Sequence, residues 1–169
     1  MRFWLVNVSV WLSVACWFAG ATIYLIVRKR ASIASITWAV GVLLMVMHTA
    51  ASYGYEHDWS HQAALRFTGD ESESVTGVRA EWGLYANFLF IFVWFCLAYV
   101  WRKSPLHVTS MRLMMCVYLG LIVFFATIVF ENGWIRFASI AGFLTLVCAG
   151  VWRKKRLTDL GSWNQSGNY

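Results

Sequence analysis

Five stretches of this chain, roughly residues 4–27, 33–55, 82–101, 113–130 and 134–152, are apolar and essentially free of charge. A helix rises about 1.5 Å per residue, so about 20 apolar residues match the ~30 Å hydrocarbon layer of a bilayer. Backbone polar groups in that layer must be satisfied within the protein, which leaves helices and closed barrels. The runs lack the alternation that membrane strands of about ten residues would show. The one proline, Pro105, falls between runs. The expectation is an all-α polytopic membrane bundle of five transmembrane helices. It forms one domain, residues 1–155, followed by a polar tail, residues 156–169. Charged residues make up 13 % of the chain, against about 25 % in soluble domains. Arg136 falls inside a run, close enough to its start to snorkel toward the surface.

The formal net charge of +6 is explained by its distribution rather than by nucleic acid. Ten of the 14 Lys and Arg lie after the first, third and fifth runs, as Arg28-Lys29-Arg30, as Arg102, Lys103 and Arg112, and as Arg153-Lys154-Lys155-Arg156. Positive charge keeps loops in the cytoplasm. The N-terminus is therefore expected outside, the C-terminal tail inside, and the loop 56–81 on the extracytoplasmic side of a cell inner membrane. All acids but Asp159 then fall outside. Trp4, Trp82 and Trp134 would mark the outer interface, and Trp101 and Trp152 the inner one. "AGA" at 19–21 resembles a signal-peptide cleavage site. The apolar run nevertheless continues through "TIYLIV" to a basic stop, so a retained span is expected.

Within the spans, Ala31, Ser35 and Ala39 recur every four residues, the spacing of a small face that admits a neighbouring helix. Asn87, Trp94 and Trp101 are seven apart and read as one stripe. Cys16, Cys96, Cys116 and Cys148 sit singly in spans and read as small core residues. "ENG" alone joins the fourth and fifth spans, which makes them a tight hairpin. In the outer loop, "HDWSHQAALRFT" suits a short helix and "GDESESVTG" a solvated turn or mobile segment.

The titratable groups collect in "MHTAASYGYEHDWSH", residues 47–61, which holds three of the four histidines. "HDWSHQAA" followed by "GLYANFLFIFVW" resembles the middle of an uncharacterised family of small, multi-span bacterial membrane proteins with W-S-H-x-A-A and G-L-Y-x-N segments. The likeness covers about a third of the chain. It implies a bacterial inner-membrane protein and brings no activity with it.

Three uses of the cluster compete. The first is a metal site. His57 and His61, four apart, would share a helical face; His48, Glu56, Asp58 and Glu131 could add ligands, and Met45 and Met47 would favour copper among divalent metals such as zinc or iron. The second is haem, which needs a second axial ligand, because His48 is the one histidine within a span and His107 lies on the cytoplasmic side. The third is a hydrogen-bonded polar cap over the bundle mouth, supported by Asn7, Tyr55, Tyr85 and Asn87, which would suit an accessory subunit binding a protein partner through loop 56–81. No nucleophile arrangement, P-loop or dinucleotide fingerprint appears, so no catalytic residues are assigned. Gly54 is the expected break, bending the span near residues 53–56 so that His57 and His61 fold back near Asn7, Asn87 and Glu131.

Overall fold

A computed structural model describes residues 4–26, 31–103 and 110–166 of the chain. Among these residues all regular structure is helical. Helices α1 (Ser9–Ile26), α2 (Ala31–Tyr55), α4 (Gly83–Lys103), α5 (Ser110–Phe124) and α6 (Trp134–Ser166) build a bundle, and α3 (His61–Thr76) lies against α4 between the second and third long helices. Two π-helical turns, Trp4–Val8 and Phe125–Val129, adjoin α1 and α5. Four helices are long and apolar enough to cross a membrane: Leu5–Ile26, Ser32–Tyr55, Gly83–Lys103 and Trp134–Lys155. The fourth apolar run gives a shorter helix, Leu113–Val129. The last helix does not stop at residue 152 but continues into the polar tail as far as Ser166. His107, Pro105 and the basic residues 28–30 lie outside the described residues, as do the side chains of Trp4 and Ala31.

Neighbours follow from close backbone approach. α1 packs along α2, α2 against α4, α4 against α5, and α6 against α1. At the α1–α2 seam a Cβ on Gly20 would collide with the indole of Trp38, whose Nε1–H donates to the Trp17 carbonyl at 3.1 Å. Ser13 Oγ donates to the Gly41 carbonyl at 2.7 Å, and a Cβ on Gly41 would stand 2.8 Å from the Trp94 ring. Small residues let these helices approach, and their hydroxyls find backbone acceptors that water would otherwise have to supply. Trp94 fills the centre at 0 % exposure, with Trp17, Val42, Leu97, Leu119 and Val123 around it. At the far end Trp101 stacks on Trp38 at 4.3 Å and lies against Tyr24. α6 is mostly exposed and meets α1 through small residues; a Cβ on Gly142 would sit 2.8 Å from Phe18.

Two expectations change here. Ser35 is buried and donates to the Ala98 carbonyl at 2.9 Å, but Ala39 is exposed. A spacing of four advances about 400°, so it drifts about 40° per step off a helical face; the buried face of α2 instead runs through Ala34, Ser35, Trp38 and Val42. Trp94 and Trp101 share a buried stripe, whereas Asn87 is exposed. Trp101 is buried between Trp38 and Tyr24. The Ser35 contact makes a testable case: Ser35→Leu loses the bond to Ala98 and overfills the α2–α4 seam, for an expected loss of about 1–3 kcal/mol. An unchanged unfolding midpoint in detergent would contradict burial at that point.

Candidate functional site

α2 ends at Tyr55, and the turn that follows is made by Asp58 and Trp59, at φ 47° and 58°. These are left-handed conformations that cost non-glycine residues free energy. The Trp59 N–H donates to the Tyr53 carbonyl at 2.8 Å, and the Trp59 indole folds back onto Gly54, where an added Cβ would stand 3.2 Å from the ring. Gly54 is therefore not the break: it stays helical, and its missing side chain seats the tryptophan that follows. Ser60 then caps α3, its hydroxyl accepting from the Ala63 N–H at 3.2 Å.

The turn sets His57 and His61 against the same side chain, Tyr53. His57 is buried, its ring against Tyr53 and 5.2 Å from Phe67. His61, at the start of α3, stands between two phenols: Nδ1 is 3.1 Å from Tyr53 Oη and Nε2 is 3.2 Å from Tyr85 Oη. His48, lower on α2, donates from Nδ1 to the Val6 carbonyl at 2.8 Å. That carbonyl belongs to the N-terminal π-helical turn, where the change of helical pitch disturbs the regular bonding. His48 thus bonds a neighbouring helical segment, His57 and His61 both lie against Tyr53, and the three histidines form no metal-holding group among the described residues.

The other expected ligands are also dispersed. Glu56 accepts from Ser52 Oγ at 2.7 Å, and Asp58 is exposed in the turn. Met45 packs on the core while Met47 is exposed. Among the described residues no group of three His, Cys, Asp or Glu side chains could hold a metal ion. Of the supporting residues, Tyr85 joins His61, Tyr55 and Asn87 are exposed, and Asn7 is half-buried in the π-helical turn. Tyr53 was not among the expected site residues. Its signal was present, since Tyr53, His57 and His61 are spaced by four.

The acidic stretch "GDESESVTG" is not a mobile turn. α3 continues through it to Thr76 and closes on Gly77 at φ 74°, whose N–H donates to the Glu73 carbonyl at 2.9 Å. Ser72 Oγ donates to the Gly69 carbonyl and accepts from the Ala80 N–H at 2.7 Å, which folds the connection back onto α3. Arg79 bridges Asp70, Glu73 and Glu81, with 3.0 Å to Glu81. The hydrogen bonds that Arg79 donates to Glu81 and then to Asp70 raise its pKa, keeping the guanidinium charged. A Cβ on Gly69 would reach within 2.7 Å of Glu81, so glycine lets this clamp lie flat on the helix.

Glu131 lies in the turn between α5 and α6. Arg136 folds back over the same turn, donating to the Glu131 carbonyl at 2.9 Å and to Asn132 Oδ1 at 2.9 Å. Burial and the charge of Glu71 on α3 raise the Glu131 carboxyl above its ordinary 4.5, against an opposing hydrogen bond from the Asn132 N–H. A carboxyl raised in the folded state destabilises it above the folded pKa. That penalty disappears as pH falls toward the ordinary value. Glu131→Gln should therefore be more stable than the parent at pH 7 and indistinguishable from it near pH 4. Thermal unfolding in detergent at the two pH values checks this, and a variant less stable at pH 7 would contradict it.

Compared with known proteins, the chain matches no family model, no curated protein and no solved structure.

Proposed function

We propose that the chain is a five-span protein of a bacterial inner membrane, N-terminus outside and C-terminus inside, acting as an accessory subunit that presents its α3 face to a protein partner. A fifth crossing is supported by the position of the α5–α6 turn. Glu131 in that turn is raised in part by the charge of Glu71 on α3, which supports a course of α5 from the Lys103 end of the bundle toward α3. The apolar part, Leu113–Val129, measures about 25 Å at ~1.5 Å per residue, a little under the hydrocarbon thickness. The orientation rests on the ten clustered Lys and Arg.

The observation that carries the interaction role is a rigid α3 that still exposes large apolar side chains. Ser72, Gly77 and Arg79 fasten the segment, yet Phe67, Val75 and Val78 are exposed among its acids. Exposed apolar groups on an otherwise solvated, ordered element mark an interaction surface. A photo-crosslinking amino acid at Val78 or Phe67, introduced in cells, should give a discrete adduct that Val75→Lys removes. Absence of any adduct from these positions, or one indifferent to Val75→Lys, would overturn the role.

A further inference from the structure

The segment around α3 carries an uneven charge. Residues 56–81 hold six acids against Arg66 and Arg79. Arg79 is already engaged, since it bridges Asp70, Glu73 and Glu81. One guanidinium held by three carboxylates leaves that clamp net negative. Glu71 stands outside the clamp, exposed on α3. In the α5–α6 turn, burial and then the charge of Glu71 hold the Glu131 carboxyl above its ordinary range. Two acids that repel one another in this way would each attract a cation placed beside them.

Apolar side chains stand among these acids. At about 100° per residue, Asp70, Ser74, Phe67, Glu71 and Val75 fall within an arc of about 140° on α3, and all are exposed. Val78 extends the patch just beyond the Gly77 cap. Phe67 is 53 % exposed, yet its ring has a fixed support. The buried His57 ring lies 5.2 Å from it, and His57 in turn lies against Tyr53 of α2. His57 thereby acquires a role, which is to hold an aromatic side chain in place at the surface. An anchor fixed before contact loses little conformational freedom on binding. Aromatic anchors of this kind dominate the energetics of interface centres.

We infer, resting on the interaction role proposed above, that the α3 face takes a basic amphipathic segment of another protein. The apolar side chains of that segment cover Phe67, Val75 and Val78, and its Lys or Arg lie beside Glu71 and the Arg79 clamp. Charge selects this occupant over two others. A second copy of the chain, meeting α3 to α3 about a two-fold axis, would set these acids against their own like. An anionic lipid surface would be repelled in the same way. Covering Phe67 and Val75 with a neutral apolar surface would desolvate the Glu71 carboxylate between them and return no opposite charge, which is costly.

The test places the photo-crosslinking residue at Val78 of the full chain, in cells, and maps the adduct by peptide mass. The adduct should join a segment of another protein in which Lys or Arg flanks apolar side chains. Glu71→Lys changes an exposed residue outside the Arg79 clamp and should lower the adduct yield about 3- to 10-fold. Changing the mapped Lys or Arg to Glu should restore the yield in the Glu71→Lys background, which a damaged fold could not do. Phe67→Ala should cost more, about 10- to 30-fold, as loss of a central aromatic anchor does. An adduct to a second copy of the chain, to lipid, or to a segment without Lys or Arg overturns the proposal. So does a yield indifferent to Glu71→Lys, or one that the charge exchange does not restore. The two readings fail separately: a discrete protein adduct that ignores Glu71→Lys refutes the basic partner alone, and no adduct from Val78 or Phe67 refutes the interaction role on which it rests.

Discussion

Replacing Trp94 with alanine should destabilise the bundle by about 3–5 kcal/mol, the cost of emptying a large aromatic site in a close-packed core. Trp94 is fully buried where α1, α2, α4 and α5 meet, against Gly41 on one side and Leu119 and Val123 on the other. The seat is apolar, and neither Trp94 Nε1 nor Trp101 Nε1 has a hydrogen-bond partner among the described residues. A buried donor without a partner costs about 1–3 kcal/mol. Trp94→Phe should therefore cost much less than Trp94→Ala, because the lost area is offset by removal of the unpaired N–H. Unfolding in detergent of the two variants side by side checks both statements. Equal losses would mean that the N–H finds a partner or that the site collapses freely.

The second large effect is expected at Gly20. A Cβ there overlaps the five-membered ring of Trp38, which is fixed by its bond to the Trp17 carbonyl and by stacking on Trp101. A flexible side chain could yield; an indole held at both ends cannot. Gly20→Leu should separate α1 from α2 and reach or exceed the upper end of the about 1–3 kcal/mol overpacking range. Gly120, where an added Cβ meets nothing, is the natural control. Gly120→Ala should leave the unfolding midpoint near that of the parent, and comparable losses at the two glycines would contradict the packing described.

The helices were legible because apolar runs of about 20 residues admit few folds. Detail inside them was less so. Ser35 was recognised as buried, but its partner is a carbonyl 63 residues away, and a four-residue spacing wrongly added Ala39. The acidic half of α3 has the composition of a loop. What fastens it lies just beyond the helix, in the connection that folds back on it: the Arg79 clamp and the Ser72 bond to Ala80. The break after α2 was anticipated at nearly the right place with the wrong residue, since glycine is the usual source of left-handed geometry. Here Asp58 and Trp59 adopt it, held by the Tyr53 carbonyl and the seat on Gly54. The π-helical turns left no mark in the sequence, so a bond from His48 to a neighbouring span could be expected but not its acceptor, the Val6 carbonyl. Tyr53 has no metal-ligand chemistry to mark it in the sequence; the fold makes it the hydrogen-bonding neighbour of His61.

The membrane topology is tested most directly by cysteine labelling in intact cells with a membrane-impermeant maleimide. Ser74 is exposed on α3, unlike the buried Ser72, and suits the outer position; Lys154, exposed at the C-terminal end of the last span, suits the inner one. Ser74→Cys should label in intact cells and Lys154→Cys only after lysis. Labelling of Lys154→Cys in intact cells would mean that α5 does not cross and the spans number four. Labelling of Ser74→Cys only after lysis would invert the bundle and contradict the account at its centre.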